Sequence, residues 1–331
     1  MTVARRTCLH VLLLVLSVGF APIAQAERAA DQPAPGKFAV QEIEHGGLVR
    51  TYYLRLPAEY GGAGPYPVLF VLHGGGGSAR VMMNLWGRGF HERADGQGMI
   101  LVYPEGIPDQ AGSTKHHWND GRRFQTWAAH RLDVDDVGFI SKVIDQVVAL
   151  YQGDPKRIFV TGASNGGLMS YRLACDLSEK VRAVAAMIAN LAPELSDCRP
   201  ARPISVLIMN GTEDPLMPYQ GGEITFGRVK LGKVLSAAET AKFWAARNGL
   251  AGPPETSLEP DKDPQDGTRV RRERYPAGAN KAEVVFYTIE GGGHTIPGGL
   301  QYLPERLIGR TSRDLDAGEV IINFFLSQRK R

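Results

Sequence analysis

The sequence predicts a single α/β domain, a mostly parallel central sheet flanked by helices on both faces. Three observations carry this. Short apolar runs without polar alternation, such as Val68–Leu72, Met99–Tyr103 and Ile204–Met209, read as strands buried on both sides. Stretches of helical period lie between such runs, most clearly Asp136–Tyr151, where Val137, Ile140, Val143, Ile144, Val147, Val148 and Tyr151 share one face. No linker long enough to divide two cores interrupts the alternation over 331 residues, of which 43% are hydrophobic and 22% charged.

The elements follow in order. Residues 1–26 begin with Arg5-Arg6, continue through an apolar run from Val11 to Ala24 and end in Ala24-Gln25-Ala26, the three parts of a cleaved secretory signal. That run is shorter than the ~20 residues of a spanning helix. Export to the periplasm or outside the cell is expected, with cleavage before Glu27 and no membrane contact afterwards. Residues 27–37, rich in Pro and Ala, are expected as a flexible leader, and residues 38–331 as the single folded domain. Phe38–Glu44 and Val49–Leu56 flank a His45-Gly46-Gly47-Leu48 hairpin signal. Arg157–Thr161, Val181–Ile188 and Val284–Ile289 add strands; Gly166–Leu177, Ala237–Arg247 and Asp316–Ser327 add helices. Gly249–Asp266, with four prolines, reads as an irregular surface excursion.

Composition excludes several functions. Arg5 and Arg6 leave with the signal, so the mature chain sets 36 basic against 35 acidic side chains and has no electrostatic footprint for nucleic acid. No zinc-like Cys/His spacing, P-loop or haem attachment site occurs, and no cofactor is expected. Asp133, Asp135 and Asp136 resemble a metal cluster, but a cap for the following helix is the simpler reading. Cys8 leaves with the signal; the remaining pair, Cys175 and Cys198, is expected to form a disulfide in an oxidising compartment.

The chemistry sits at strand ends. Gly162-Ala163-Ser164-Asn165-Gly166 follows a strand and precedes a helix, the context of a nucleophile elbow. A serine there needs a base, and the α/β-hydrolase order is serine, acid, histidine. Of the eight histidines only His294 follows Ser164. The acid is expected after Ile204–Met209: Asp214, fixed by Pro215, with adjacent Glu213 as the alternative. The N–H of Asn165 and one from the Gly74–Gly77 loop, assigned to Gly75, would hold the oxyanion. Trp118 is expected to line a substrate pocket. The Gly74–Gly77 loop also fits a dinucleotide fingerprint, but Glu105 lies too far on for the ribose-binding acid. A secreted peptidase and a binding protein with a dead site are the other rivals.

Four blocks resemble a known family: Leu72–Ala79, Gly162–Met169, Asn210–Pro215 and Gly291–Gly299 look like the secreted polyhydroxybutyrate depolymerase/feruloyl esterase group of α/β-hydrolases. The likeness covers residues 45–328 and implies Ser164, Asp214 and His294 as the triad and a Cys175–Cys198 link. Ile296 stands where such proteins often carry Trp, which marks it as an altered pocket wall. The resemblance implies ester substrates, whether hydroxyalkanoate, feruloyl or acetyl. The chain ends soon after its closing helix, so no polymer-gripping module is expected. Short-acyl or oligomeric esters should then be cleaved faster than crystalline granules.

Overall fold

The computed structural model describes residues 33–86, 90–278 and 282–328. The expected signal segment and residues 27–32 of the leader lie outside them. Residues 33–37 form a turn whose Gly36 N–H donates to Leu56 O at 3.0 Å.

Ten strands make the main sheet: β1 (Phe38–His45), β2 (Leu48–Arg55), β3 (Tyr66–Leu72), β4 (Ile100–Pro104), β5 (Gly153–Ala163), β6 (Ala183–Met187), β7 (Ser205–Gly211), β8 (Glu255–Leu258), β9 (Arg269–Tyr275) and β10 (Val284–Glu290). Their order is β1-β2-β4-β3-β5-β6-β7-β10-β9-β8. The strands from β4 to β10 in that order run parallel, and an antiparallel pair closes each end.

The central strands are apolar throughout because both faces are covered. Val68, Phe70 and Leu72 of β3 join one core with the helices Asp136–Leu150, Asn165–Asp176 and Ala237–Arg247. Leu69 and Val71 join the other, with Ala79–Leu85, Phe90–Gly96 and Ala317–Ser327. Asp135 caps the first of these helices by accepting from Gly138 N–H at 2.8 Å. Asp136 is instead buried against the Arg50 guanidinium at 2.6 Å.

The ends of the sheet differ from the sequence expectation. The stretch expected as an irregular excursion carries β8, set between Pro254 and Pro260 and exposed at every position. It has no buried face, so it leaves no apolar period to read. A two-stranded hairpin, Gly222–Phe226 with Val229–Val234, and the two seven-residue helices Ala79–Leu85 and Phe90–Gly96 also escaped the sequence reading.

Register positions the site. Leu72 of β3 lies opposite Gly162 of β5, and Gly211 of β7 lies opposite Ile289 of β10. The loops that leave these neighbouring ends therefore emerge side by side along one edge of the sheet.

Candidate active site

Ser164 joins β5 to the helix Asn165–Asp176 with φ 54° and ψ −122°, a strained conformation for a side chain other than glycine. Its N–H donates to Met187 O at 2.9 Å, and its O accepts from Leu168 N–H at 2.9 Å. The flanking glycines are required by space. A Cβ on Gly162 would lie 2.4 Å from Gly166 O, and one on Gly166 2.5 Å from both Leu72 O and His73 O. The Ser164 side chain is half-buried, and its hydroxyl makes no hydrogen bond among the described residues.

Asp214 and His294 meet above the ends of β7 and β10. His294 Nδ1 lies 2.7 Å from Asp214 Oδ2, both side chains buried. An ionised carboxylate only accepts, so the proton sits on Nδ1 and leaves Nε2 as a base. Asp214 Oδ1 takes the N–H groups of Leu216 and Met217, each at 2.8 Å. Glu213 is exposed. The histidine loop is crowded: a Cβ on Gly293 would fall 2.1 Å from Ile308 O. His294 O accepts from Tyr302 Oη–H at 2.9 Å. Burial, aided by the charge of Asp214, pushes the Tyr302 phenol up to about 12, so it remains a donor.

Two of the expected pocket residues prove to be core. Trp118 is 0% exposed and donates its indole N–H to His73 O at 3.0 Å. Ile296 is buried in the core that includes Trp86, Phe90 and Leu315. Neither has a free face for a substrate. Single-sequence reading saw an aromatic in a polar loop and a departure beside His294, and neither observation reports depth. The aromatic at the glycine loop is Trp127, which the sequence reading missed. A Cβ on Gly75 would lie 2.8 Å from Trp127 Cη2 and 3.4 Å from Asn165 Cβ. Trp127 is half-buried and stacks on His117 with ring centroids 4.1 Å apart.

In the glycine loop, Gly76 N–H is taken by His116 O and Gly77 N–H by Gly74 O, whereas Gly75 N–H has no acceptor among the described residues. His73 anchors the loop. Its Nε2 accepts from Gly106 N–H at 3.0 Å, so its proton lies on Nδ1 and goes to Gly74 O at 2.8 Å. Burial drives its pKa down to about 3 and keeps the ring neutral. The carboxylate expected to spoil a dinucleotide reading, Glu105, is itself occupied by Ala79 N–H at 2.9 Å.

Behind Asn165 lies a polar cluster that the sequence reading also missed. Asn165 Nδ2 donates to Asp120 Oδ2 at 2.6 Å. Asp120 is fully buried between Arg122 and His130, at 2.6 and 3.0 Å. Burial alone would raise its pKa; the Arg122 charge and the His130 bond outweigh it and hold Asp120 well below the usual carboxylate range. The cysteines are joined as expected, Cys175 at the end of the elbow helix to Cys198.

No family model matches the chain. A protein of Nocardia uniformis subsp. tsuyamanensis named as esterase NocK is 29% identical over 363 aligned positions, covering 98% of both chains. Feruloyl esterase B of Piromyces equi is 30% identical, covering 74% of this chain and 42% of its own length. Feruloyl esterase C of Emericella nidulans is 33% identical over 179 residues, covering 52% of this chain and 58% of its own. Among solved structures, an acetyl xylan esterase from Aspergillus awamori superposes with a TM-score of 0.53 at 16% identity, covering 78% of this chain and 95% of that one; at such identity the likeness is one of fold. The chain is similar in sequence to esterases, feruloyl esterases among them, its fold is that of the α/β-hydrolases, and it is a carboxylic ester hydrolase.

Proposed function

We propose that this is a secreted serine esterase that works through Ser164, His294 and Asp214. The observation that carries the reading is the 2.7 Å contact of His294 Nδ1 with a buried Asp214 carboxylate, in a sheet that also carries a serine at φ 54° on its strand-to-helix turn. In the proposed reaction Ser164 Oγ attacks the ester carbonyl carbon while its proton passes to His294 Nε2. The C–O bond to the alcohol breaks, and His294 returns the proton to the departing oxygen. Water, deprotonated by the same nitrogen, then attacks the acyl-enzyme and releases acid and free Ser164. Asp214 orients the imidazole and stabilises its cation. The N–H groups of Asn165 and Gly75 hold the oxyanion; Gly75 is preferred because its neighbours Gly76 and Gly77 have spent theirs.

For substrate, we infer short-acyl or oligomeric hydroxyalkanoate esters, supported by the four sequence blocks around the site. A second reading, hydroxycinnamoyl esters, is favoured by the Trp127 ring edge beside Gly75 and by the names of two relatives. A fluorophosphonate probe should label the wild-type protein and leave Ser164→Ala unlabelled; equal labelling of both would overturn the triad. Rates on p-nitrophenyl acyl esters of increasing length, hydroxybutyrate trimer and methyl ferulate decide the substrate. Faster turnover of the trimer supports the first reading, and faster turnover of ferulate the second.

A further inference from the structure

We propose that Trp118 is a positioning residue, a strut that sets the gap between the two oxyanion donors. The proposal rests on the assignment of Ser164, Asn165 and Gly75 given above.

The two donors come from segments with no covalent reason to stay in register. Asn165 opens the elbow helix, and Gly75 lies in the loop after β3. One oxygen must sit about 3 Å from both N–H groups, so the gap between the segments has to be held closely. Trp118 is bonded to both. Its indole N–H donates to His73 O at 3.0 Å, and its ring lies 4.9 Å from the His73 imidazole, on the glycine-loop side. On the helix side its peptide N–H donates to Asn165 Oδ1 at 2.8 Å, and its carbonyl accepts from Asn165 Nδ2 at 3.1 Å.

The clamp is complete at each end. The second Nδ2 proton of Asn165 goes to Asp120, whose carboxylate only accepts; this fixes which way the amide points. His73 is bonded through both ring nitrogens, to Gly106 N–H and Gly74 O. A tryptophan needed only for volume would not use its indole N–H, its peptide N–H and its carbonyl on the two segments that supply the oxyanion hole.

Two variants separate positioning from packing. Trp118→Phe keeps an aromatic ring in the core and removes the indole donor together with part of the ring volume. Asn165→Ala keeps the backbone N–H and removes the amide clamp. Both are measured on p-nitrophenyl acetate for kcat and KM, and against an aryl trifluoromethyl ketone, whose serine adduct puts an oxyanion in the hole. Concentrations are normalised by fluorophosphonate titration. Misplacement of donors should lower kcat about 10- to 100-fold, weaken the ketone by a similar factor and leave KM within about twofold. If both variants lose only thermal stability and keep kcat and ketone affinity, the strut is overturned. If Trp118→Phe fails to fold, Asn165→Ala decides alone. Ser164→Ala is the control for the underlying reading: a wild-type rate in that variant would overturn the nucleophile and the strut together. An inactive Ser164→Ala beside two unaffected strut variants overturns the strut alone.

Discussion

Asp214 and Glu213 are adjacent in the chain and opposite in surroundings. Asp214 is held by two backbone N–H groups and His294, while Glu213 faces solvent. Asp214→Asn, which reverses the tautomer of the histidine, should cost about 10⁴-fold in kcat. Glu213→Gln should stay within about twofold, because no buried partner is left unpaired. Ser164→Ala should cost about 10⁶-fold with an unchanged melting curve. Pro215, which fixes the turn after Asp214, is what put Asp214 forward, and His294 contacts it rather than Glu213; the polar cluster at Asp120 was not legible, since nothing in Trp118-Asn119-Asp120 signals that the aspartate turns inward to Asn165. His73 gives a pH prediction. Folded, it stays neutral down to about 3; unfolded, it takes a proton below about 6.5. Between those values the unfolded state binds more protons, so stability falls as pH drops from about 6.5 toward 3. Urea unfolding at pH 7 and pH 4.5 should show a smaller loss in His73→Asn than in wild type.

At the scale of elements, the elbow depends on space as much as on the serine. Gly166→Ala would press a methyl group against two backbone carbonyls and should destabilise the fold by about 1–3 kcal/mol or more, with loss of activity. Gly96→Ala meets nothing within 4 Å and should be neutral or stabilise by up to ~1 kcal/mol, so thermal melts of the two variants test the argument. The Cys175–Cys198 link closes a separation of 23 residues, and replacing both by Ser should cost about 3 kcal/mol in urea titrations while kcat is preserved. The central strands were legible because burial on both faces leaves unbroken apolar runs. The hairpin Gly222–Val234 and strand β9 were not: their residues are largely charged or exposed, so they leave no apolar period to read even though their partners are close in sequence. Helices of seven residues span under two turns, too few to display a period.

For the molecule as a whole, the site is a product of register. Ser164, Asp214 and His294 are separated by 50 and 80 residues, and parallel pairing of neighbouring strand ends gathers the loops that carry them. Their order along the chain is what put the three forward as the proposed triad before any geometry. Depth was not legible, which is why Trp118 and Ile296 were assigned to a pocket and Trp127 was overlooked. Loops gathered at one end of a sheet can touch only a few monomer units of a polymer. The isolated chain should therefore hydrolyse hydroxybutyrate trimer faster than it erodes crystalline polyester film, measured as acid released per active site; rapid erosion of the film would refute this.

The outermost strand β8 bears on behaviour in crowded solution. A ten-stranded ribbon has two free rims, and an unprotected rim is where one copy zips onto another. Here the last rim is four residues long, Pro254 and Pro260 on either side lack an N–H to donate, and the strand behind it carries Arg271, Arg272, Glu273 and Arg274. The sheet thus ends at that rim in a short, proline-flanked strand backed by charge, which disfavours growth into fibrils there.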